Sequence, residues 1–353
     1  MSTINKLEEK TKDAIQKGIS WLIQNDSKIN EMKDLASNYK APYLYAVTGI
    51  RERARKYADL MSNKYLQKDG DFRTSINEKG WAHIPSSPEN RYIYSNGWII
   101  SGLQKIGTYN PVKNGLEFIN RFQDSALGGF YSRFDSKNMK INKDYLDTSS
   151  TSSAGLAMLA CGQFERAKRA GDFILKMLDA QTDKNRFFFN SWETGKGLMT
   201  DVFYDEEAAA IRGRKNFCVS TEKDPVYEMI WFIGMPMKFL CDLYGMTLDT
   251  GYLDGAKELF SFFNKLNDGK WENNSGSKIM WGASELYRYT KDPEHKNAAI
   301  KILDWLIETQ HESGVWVHSL WYKSIDEQPF PATLDLVQEY VSEISDVVFN
   351  ISE

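Results

Sequence analysis

The chain has 353 residues, 42% hydrophobic and 26% charged, as expected of a soluble globular protein. Its net charge of −4, with no basic stripe interleaved with aromatics, argues against nucleic acid as a partner. Three scattered cysteines (Cys161, Cys218, Cys241) offer no disulfide framework and fit a reducing compartment, so a cytoplasmic location is expected. The opening MSTINKLEEKTKDAIQKG has no apolar run of signal-peptide type. The longest apolar stretch, Met229 to Leu240, is broken by Gly234, Pro236 and Lys238 and is too short to span a bilayer.

Taken in chain order, the sequence returns to one plan: a helix of small and aromatic residues, a polar turn, an amphipathic helix, then a Gly-containing loop ending in Phe or Trp. A lone helix is expected over Lys6 to Gln24. A weak first unit follows, MKDLASNYKAPYLYAVTG, RERARKYADLMSNKYLQ and KDGDF. The second is SNGWIISGLQKIGTY, VKNGLEFINRFQ and DSALGGF, with Asn110-Pro111 read as a cap and first helical residue. The third is TSSAGLAMLACGQ, FERAKRAGDFILKMLDAQ and TDKNRFFF. The fourth is YEMIWFIGMPMKFLCDLYGMT, GYLDGAKELFSFFNKL and NDGKW. The fifth is SKIMWGASELYRYT, KNAAIKILDWLIETQ and HESGVW, with Asp292-Pro293 as its cap device.

A last helix over Thr333 to Val348 carries an apolar stripe, Leu334, Val337, Val341, Ile344 and Val348. Pairing it with the first helix gives a sixth hairpin. The expectation is an all-α fold, an α/α toroid of about six helical hairpins in a single domain over 1–353. No set of alternating strand segments is visible. The loops end at Phe72, Phe130, Phe189, Trp271 and Trp316, a spacing too irregular for a solenoid. The segment 187–224 lacks the repeat and reads as an insertion or lid; it carries Trp192, Asp201, Asp205, Glu206, Glu207, Arg212 and Arg214.

Within these units, Lys113-Asn-Gly-Leu-Glu-Phe118-Ile-Asn-Arg-Phe-Gln123 with Gly128-Gly-Phe130 resembles the QW repeat of terpenoid cyclases of the squalene–hopene cyclase type. So does Trp305-Leu-Ile-Glu-Thr-Gln310 with Gly314-Val-Trp316; Gly171-Asp-Phe-Ile to Gln181, followed by Phe187 to Phe189, is a degenerate copy. Protein prenyltransferase β-subunits and linalool dehydratase-isomerase are similar toroids. The motif's glutamine is expected to bond helix-end or loop carbonyls while the loop aromatic packs back. The resemblance also implies a catalytic Asp-x-Asp-Asp-Thr. The nearest match is Asp144-Tyr-Leu-Asp147-Thr148, with Leu146 where the family has its catalytic Asp. The prenyltransferase zinc ligands have no counterpart here.

Inner-helix starts are expected to converge at one mouth of the cavity, where unpaired N–H groups favour anions and carboxylates. Asp147 reads there as an N-cap or as an acid–base group, with Asp144 beside it. Glu228 and Tyr227 are read as opening the fourth inner helix above Trp231, with Glu228 either a first-turn residue or a proton donor. Lys278, Trp281 and Glu285 share one face of the fifth inner helix, lining the cavity or facing solvent. Asp335 and Glu339 pose the same choice on the last helix and read mainly as a solvated face. His83 is a loop candidate. Cys218 has basic neighbours that would lower its pKa. Tyr92, Trp98, Tyr145, Thr148 and Trp192 complete the candidate substrate contacts.

His311 and His318 lack zinc-site spacing, and no nucleotide-binding loop or nucleophile elbow appears, so no metal or cofactor is expected. The leading expectation is a cyclase, isomerase or lyase using acid–base groups on a largely apolar, isoprenoid- or polyketide-like small molecule. The alternatives are a carbohydrate hydrolase or epimerase and a non-catalytic scaffold. An enclosed apolar cavity with one carboxylate would favour the first, and facing carboxylates in a polar groove the second.

Overall fold

The computed structural model describes residues 3–32, 35–73, 91–135, 138–200, 218–319 and 321–352. Among them are thirteen α-helices: α1 (Thr3–Gln24), α2 (Asp26–Glu31), α3 (Ala41–Val47), α4 (Arg51–Leu60), α5 (Tyr94–Ile106), α6 (Tyr109–Asn120), α7 (Thr148–Ala160), α8 (Phe164–Asp179), α9 (Trp231–Thr247), α10 (Thr250–Asn264), α11 (Gly276–Thr290), α12 (Pro293–Glu308) and α13 (Phe330–Ser352).

Helices α3, α5, α7, α9, α11 and α13 each pack on the next, and α13 returns to α3, which closes an inner ring. Each is backed by an outer helix: α4, α6, α8, α10 and α12, with α1 behind α13. The terminal helices therefore pair as the sixth hairpin. Small residues let the inner helices approach. A Cβ on Gly234 would stand 2.3 Å from the Lys278 backbone, and one on Gly97 2.6 Å from the Ser153 carbonyl. Inner-to-outer turns are short and outer-to-inner connections long, so every long loop lies at the inner-helix N-terminal end.

The aromatic loops stitch neighbouring hairpins together. Gln123 Nε2 donates to Gly128 O and Arg166 O, each at 2.9 Å, joining its own loop to α8. Gln310 Nε2 donates to Gly314 O at 3.1 Å and to Ala14 O at 3.0 Å on α1. Gln181 pairs both ways with the Phe189 backbone at 2.8 Å. Gly314, at φ +91°, lies so close to α1 that a Cβ would stand 2.3 Å from Lys17 O; Gly128, at φ +84°, meets Arg169 O on α8 at the same distance. The same device thus seals an interior seam and the closing one.

Local expectations fared unevenly. Asp292 caps α12 by accepting from Glu294 N at 2.9 Å, with Pro293 the first helical residue. Asn110-Pro111 is no such cap, because α6 already begins at Tyr109 after Thr108. Glu228 does not open an inner helix: it follows a 3₁₀ turn (Pro225–Tyr227), and α9 starts at Trp231. The inner helix of the weak first unit is only seven residues long.

Among the described residues the long loops also hold six short strands, β1 (Tyr131–Asp135), β2 (Lys140–Asp147), β3 (Phe187–Phe189), β4 (Ser191–Glu193), β5 (Gly197–Leu198) and β6 (Cys218–Ser220). They form an antiparallel sheet in the order β1-β2-β4-β5 and a β3-β6 pair. Most are too short, and β2 too polar, to show as alternating patterns. No helix of the described residues is long and apolar enough to cross a membrane.

Candidate functional site

Among the described residues, the lumen of the inner ring gathers a cluster of buried charge. On α13, Asp335, Glu339, Glu343 and Asp346 recur at helical spacing on the face opposite the apolar stripe. Lys40, just before α3, places Nζ 2.9 Å from Asp335 Oδ1 and also pairs with Glu339. Lys278 places Nζ 2.7 Å from Glu339 Oε1 and also pairs with Glu343. Both lysines are about 1% exposed, so Asp335 and Glu339 turn into the lumen and are not the solvated face expected. The expectation failed because α13 is an inner helix, with one face against α1 and the other against buried lysines.

The two glutamates that share Lys278 are driven apart. Burial opposes ionisation of Glu339, but two ammonium groups outweigh it and hold the pKa down at about 2. For Glu343 burial dominates and the charge of Glu339 adds to it, so one lysine is not enough and the pKa rises to about 7. Glu343 Oε2 is buried and accepts no hydrogen bond. Across the lumen, α7 presents the Ser149 and Ser152 hydroxyls, buried and likewise without partners. Burial, with the Lys40 charge adding to it, keeps His318, stacked on Trp321 at 3.9 Å, neutral down to about pH 4.

Below this layer lies an aromatic floor. Trp98 stacks on Trp281 with ring centroids 5.5 Å apart, and Tyr43 meets Trp98 edge-on at 5.2 Å. Lys278 Nζ stands 5.2 Å above the Trp98 ring. Beside the layer, the Arg91 guanidinium sits 5.0 Å over Trp231, which meets Tyr94 edge-on at 5.7 Å. Asp147 caps α7, accepting from Ser150 N at 2.6 Å and Ser150 Oγ at 3.0 Å; burial raises its pKa against these bonds and the Arg91 charge.

On the other side of the floor a cavity of about 540 Å³ opens at the inner-helix C-terminal ends. Its lining brings together Lys105, Lys238 and Arg288 with Asp242, Glu285 and Asp346, along with Leu156 and Leu159 of α7 and the exposed Met246 and Phe349. Lys238 Nζ lies 2.6 Å from Asp242 Oδ1 and 3.2 Å from Glu285 Oε1. Asp346 accepts from Tyr43 Oη at 2.7 Å and from Trp281 Nε1 at 3.1 Å.

Of the residues singled out in the sequence, Asp147, Trp98, Trp231, Lys278 and Trp281 meet around the lumen, and Thr148 follows Asp147 at the start of α7. The face shared by Lys278, Trp281 and Glu285 lines the lumen and is buried. Tyr92 is instead packed among Phe118, Phe122 and Phe134, with its hydroxyl 2.6 Å from Asp71. Trp192 packs on Phe173 of α8. Asp144 and Tyr145 lie on β2, with Asp144 exposed and Tyr145 under the Arg133 guanidinium. Glu228 is buried in the loop layer, accepting from Ser220 N at 3.1 Å, and Cys218 is buried in the β3–β6 pair. His83 and the 201–217 part of the insertion, with its basic residues, lie outside the described residues, as does the Tyr227 side chain. Among the described residues no group of three or more His, Cys, Asp or Glu is placed to hold a metal ion.

No protein-family model matches the sequence, and no curated protein does. Solved structures match over nearly the whole chain. A D-mannose isomerase superposes with a TM-score of 0.66 at 12% identity, covering 90% of this chain and 87% of its own. A variant of the type II terpene cyclase MstE from Scytonema, with geranylgeranyl dihydroxybenzoate bound, gives 0.60 at 11% identity over 99% and 100%. An unsaturated glucuronyl hydrolase specific for heparin gives 0.60 at 10% identity over 97% and 96%. The fold is an α/α toroid. At these identities the likeness is one of architecture: the toroid is shared, and its lumen residues are this chain's own.

Proposed function

We propose that this toroid is a cofactor-independent enzyme that isomerises or epimerises a carbohydrate by proton transfer in the Lys278 layer. The observation that carries the reading is the pair Glu339 and Glu343, bound to one ammonium yet pushed to pKa values of about 2 and about 7. Environments that separate two carboxyls in this way assign their roles. Glu343, whose ionisation burial and the Glu339 charge oppose, exchanges a proton with a carbon beside a carbonyl. The electron pair moves onto the carbonyl oxygen, where Lys278 donates a hydrogen bond. Return of the proton to the opposite face of the same carbon inverts it. Return to the former carbonyl carbon, with the neighbouring hydroxyl proton passing to the former carbonyl oxygen, gives the isomer. Glu339 stays ionised and keeps Lys278 charged.

A layer of two lysines and three carboxyls, with free serine hydroxyls opposite, suits a hydroxylated substrate. It weighs against the apolar isoprenoid- or polyketide-like molecule first expected, which would leave these groups desolvated and unpaired. The D-mannose isomerase and the heparin-specific hydrolase on the same fold support a sugar. Asp147, Arg91 and Trp231 are proposed as substrate contacts, and 1–353 as one domain.

The test is a panel of aldoses and ketoses incubated in deuterated water and followed by NMR. At least one sugar should exchange a carbon-bound proton. Glu343→Gln should slow that exchange by about 10²-fold or more, the usual share of a general base. If folded wild-type protein converts no sugar, or if Glu343→Gln and Lys278→Met exchange at the wild-type rate, the reading is wrong.

A further inference from the structure

Among the described residues seven large apolar side chains are exposed, and five of them stand at one end of the ring. Tyr109 and Phe164 open α6 and α8, Met246 and Leu248 lie where α9 passes into α10, and Phe349 is one turn from the end of α13. The cavity at the inner-helix C-terminal ends opens here, with Met246 and Phe349 in its lining. The five are 44–73% exposed. At roughly 200 Å² for a large side chain, they leave about 600 Å² of apolar surface. That is as large as the largest patch of an ordinary monomer, and most of the ~800 Å² that each partner covers in a stable complex.

Charge at this end is laid out so that the face matches itself. The inner helices follow one another as α3, α5, α7, α9, α11 and α13. A two-fold axis lying in the face from α7 to α13 therefore exchanges α5 with α9 and α3 with α11. The α5–α6 end carries Lys105 and Lys113, and the α9–α10 end Asp249 and Asp254. Lys113 and Asp254 hold equivalent places, each the fifth residue of its outer helix. Arg51 and Glu52 at the α3–α4 end, and Lys291 and Asp292 at the α11–α12 end, give both signs to that second pair of ends. The same rotation sets Leu248 over a second Tyr109, and Phe164 and Phe349 over their own counterparts. Asp249 caps α10, accepting from Gly251 N at 3.0 Å, and Asp254 pairs with Lys257 at 3.0 Å. Both are exposed, and pairs of that kind contribute little and leave carboxylate oxygens for another cation.

We propose that this end of the ring binds a second copy of the chain, face to face about that axis, in an isologous dimer whose two cavities open onto each other. A second copy pairs the acidic α9–α10 end with lysines, whereas a lipid surface would leave Asp249 and Asp254 against its headgroups.

Sedimentation velocity of the full chain, from about 1 to about 100 µM at near-physiological salt, tests this. Wild type should be dimeric by about 10 µM. Leu248→Asn suits the left-handed backbone there, at φ +59°, and removes the apolar side chain. It and Phe164→Ser should each weaken the dimer at least tenfold with unchanged circular dichroism. Ile23→Asn, exposed at the opposite end, should leave it intact. Lys113→Asp and Asp254→Lys should each weaken it about tenfold, and the two together should restore it. The assignment is overturned by a wild-type monomer at about 100 µM, including one that floats with phosphatidylcholine vesicles instead. A full dimer in both apolar variants, or a double charge reversal no tighter than the single ones, overturns it equally.

Discussion

Replacing Glu343 with Gln removes the one carboxyl in the upper layer that burial disfavours most. In the folded protein its pKa is about 7, against 4.5 in an exposed carboxylate. A shift of that size corresponds to about 3 kcal/mol at 1.36 kcal/mol per unit. The folded state holds this proton more tightly than the unfolded chain does. The contribution is therefore fully present below about pH 4.5, and is lost as pH rises through about 7. A glutamine resembles the protonated acid and pays no ionisation penalty at any pH. Glu343→Gln should then match wild type at pH 5 and exceed it by up to about 3 kcal/mol at pH 8. With an unfolding entropy of about 2 cal/mol/K per residue, that is a gain of roughly 4 °C in Tm for a chain this long. Denaturant and thermal unfolding at the two pH values measure it. An equal loss of stability at pH 5 and pH 8 would refute the reasoning, because it would mean that the ionised Glu343–Lys278 pair stabilises the fold.

Gly314→Ala should cost about 2–4 kcal/mol in a thermal melt, since the residue combines φ +91° with a Cβ position 2.3 Å from Lys17 O. Gln310→Ala should lose about 1–3 kcal/mol by unpairing the Ala14 and Gly314 carbonyls, and hydrogen exchange should speed up in α1 before other outer helices. In an NMR titration His318 should stay neutral until about pH 4, well below an ordinary histidine. Its depressed pKa supports stability above about pH 6.5, and that support is lost as pH falls toward 4.

The ring itself was legible because its signals are local. Helical periodicity, Asp292-Pro293 and the Gln-to-aromatic loops each act within a few residues, and the apolar stripe on α13 implied the closing partnership with α1. The lumen was harder to read. Lys40 sits at the start of a short apolar helix and Lys238 inside the most apolar stretch of the chain, where they look like interruptions; Lys40 is explained by Asp335 and Glu339 of α13, and Lys238 by Asp242 on its own helix together with Glu285 of α11. The acids at 335, 339, 343 and 346 form as regular a stripe as the apolar one, and that regularity was the signal to follow. A charged stripe on one helix does not say whether it meets water or a buried lysine far away in sequence. The small strands were missed for a different reason: they are made by short loop segments pairing within and between neighbouring loops, not by their own side-chain patterns.

The glutamine–glycine stitch makes the closing seam between α12 and α1 the same kind of joint as the seam between α6 and α8. Glu8 and Ser352 already touch, at 3.3 Å. A circle drawn through this protein therefore has no privileged starting point. Joining residues near these two by a short linker and opening the chain at the α7–α8 turn, where Gly162 has open space around it, would keep every stitch described above. The order in which the hairpins leave the ribosome is then a matter of synthesis, and the finished ring carries no record of it.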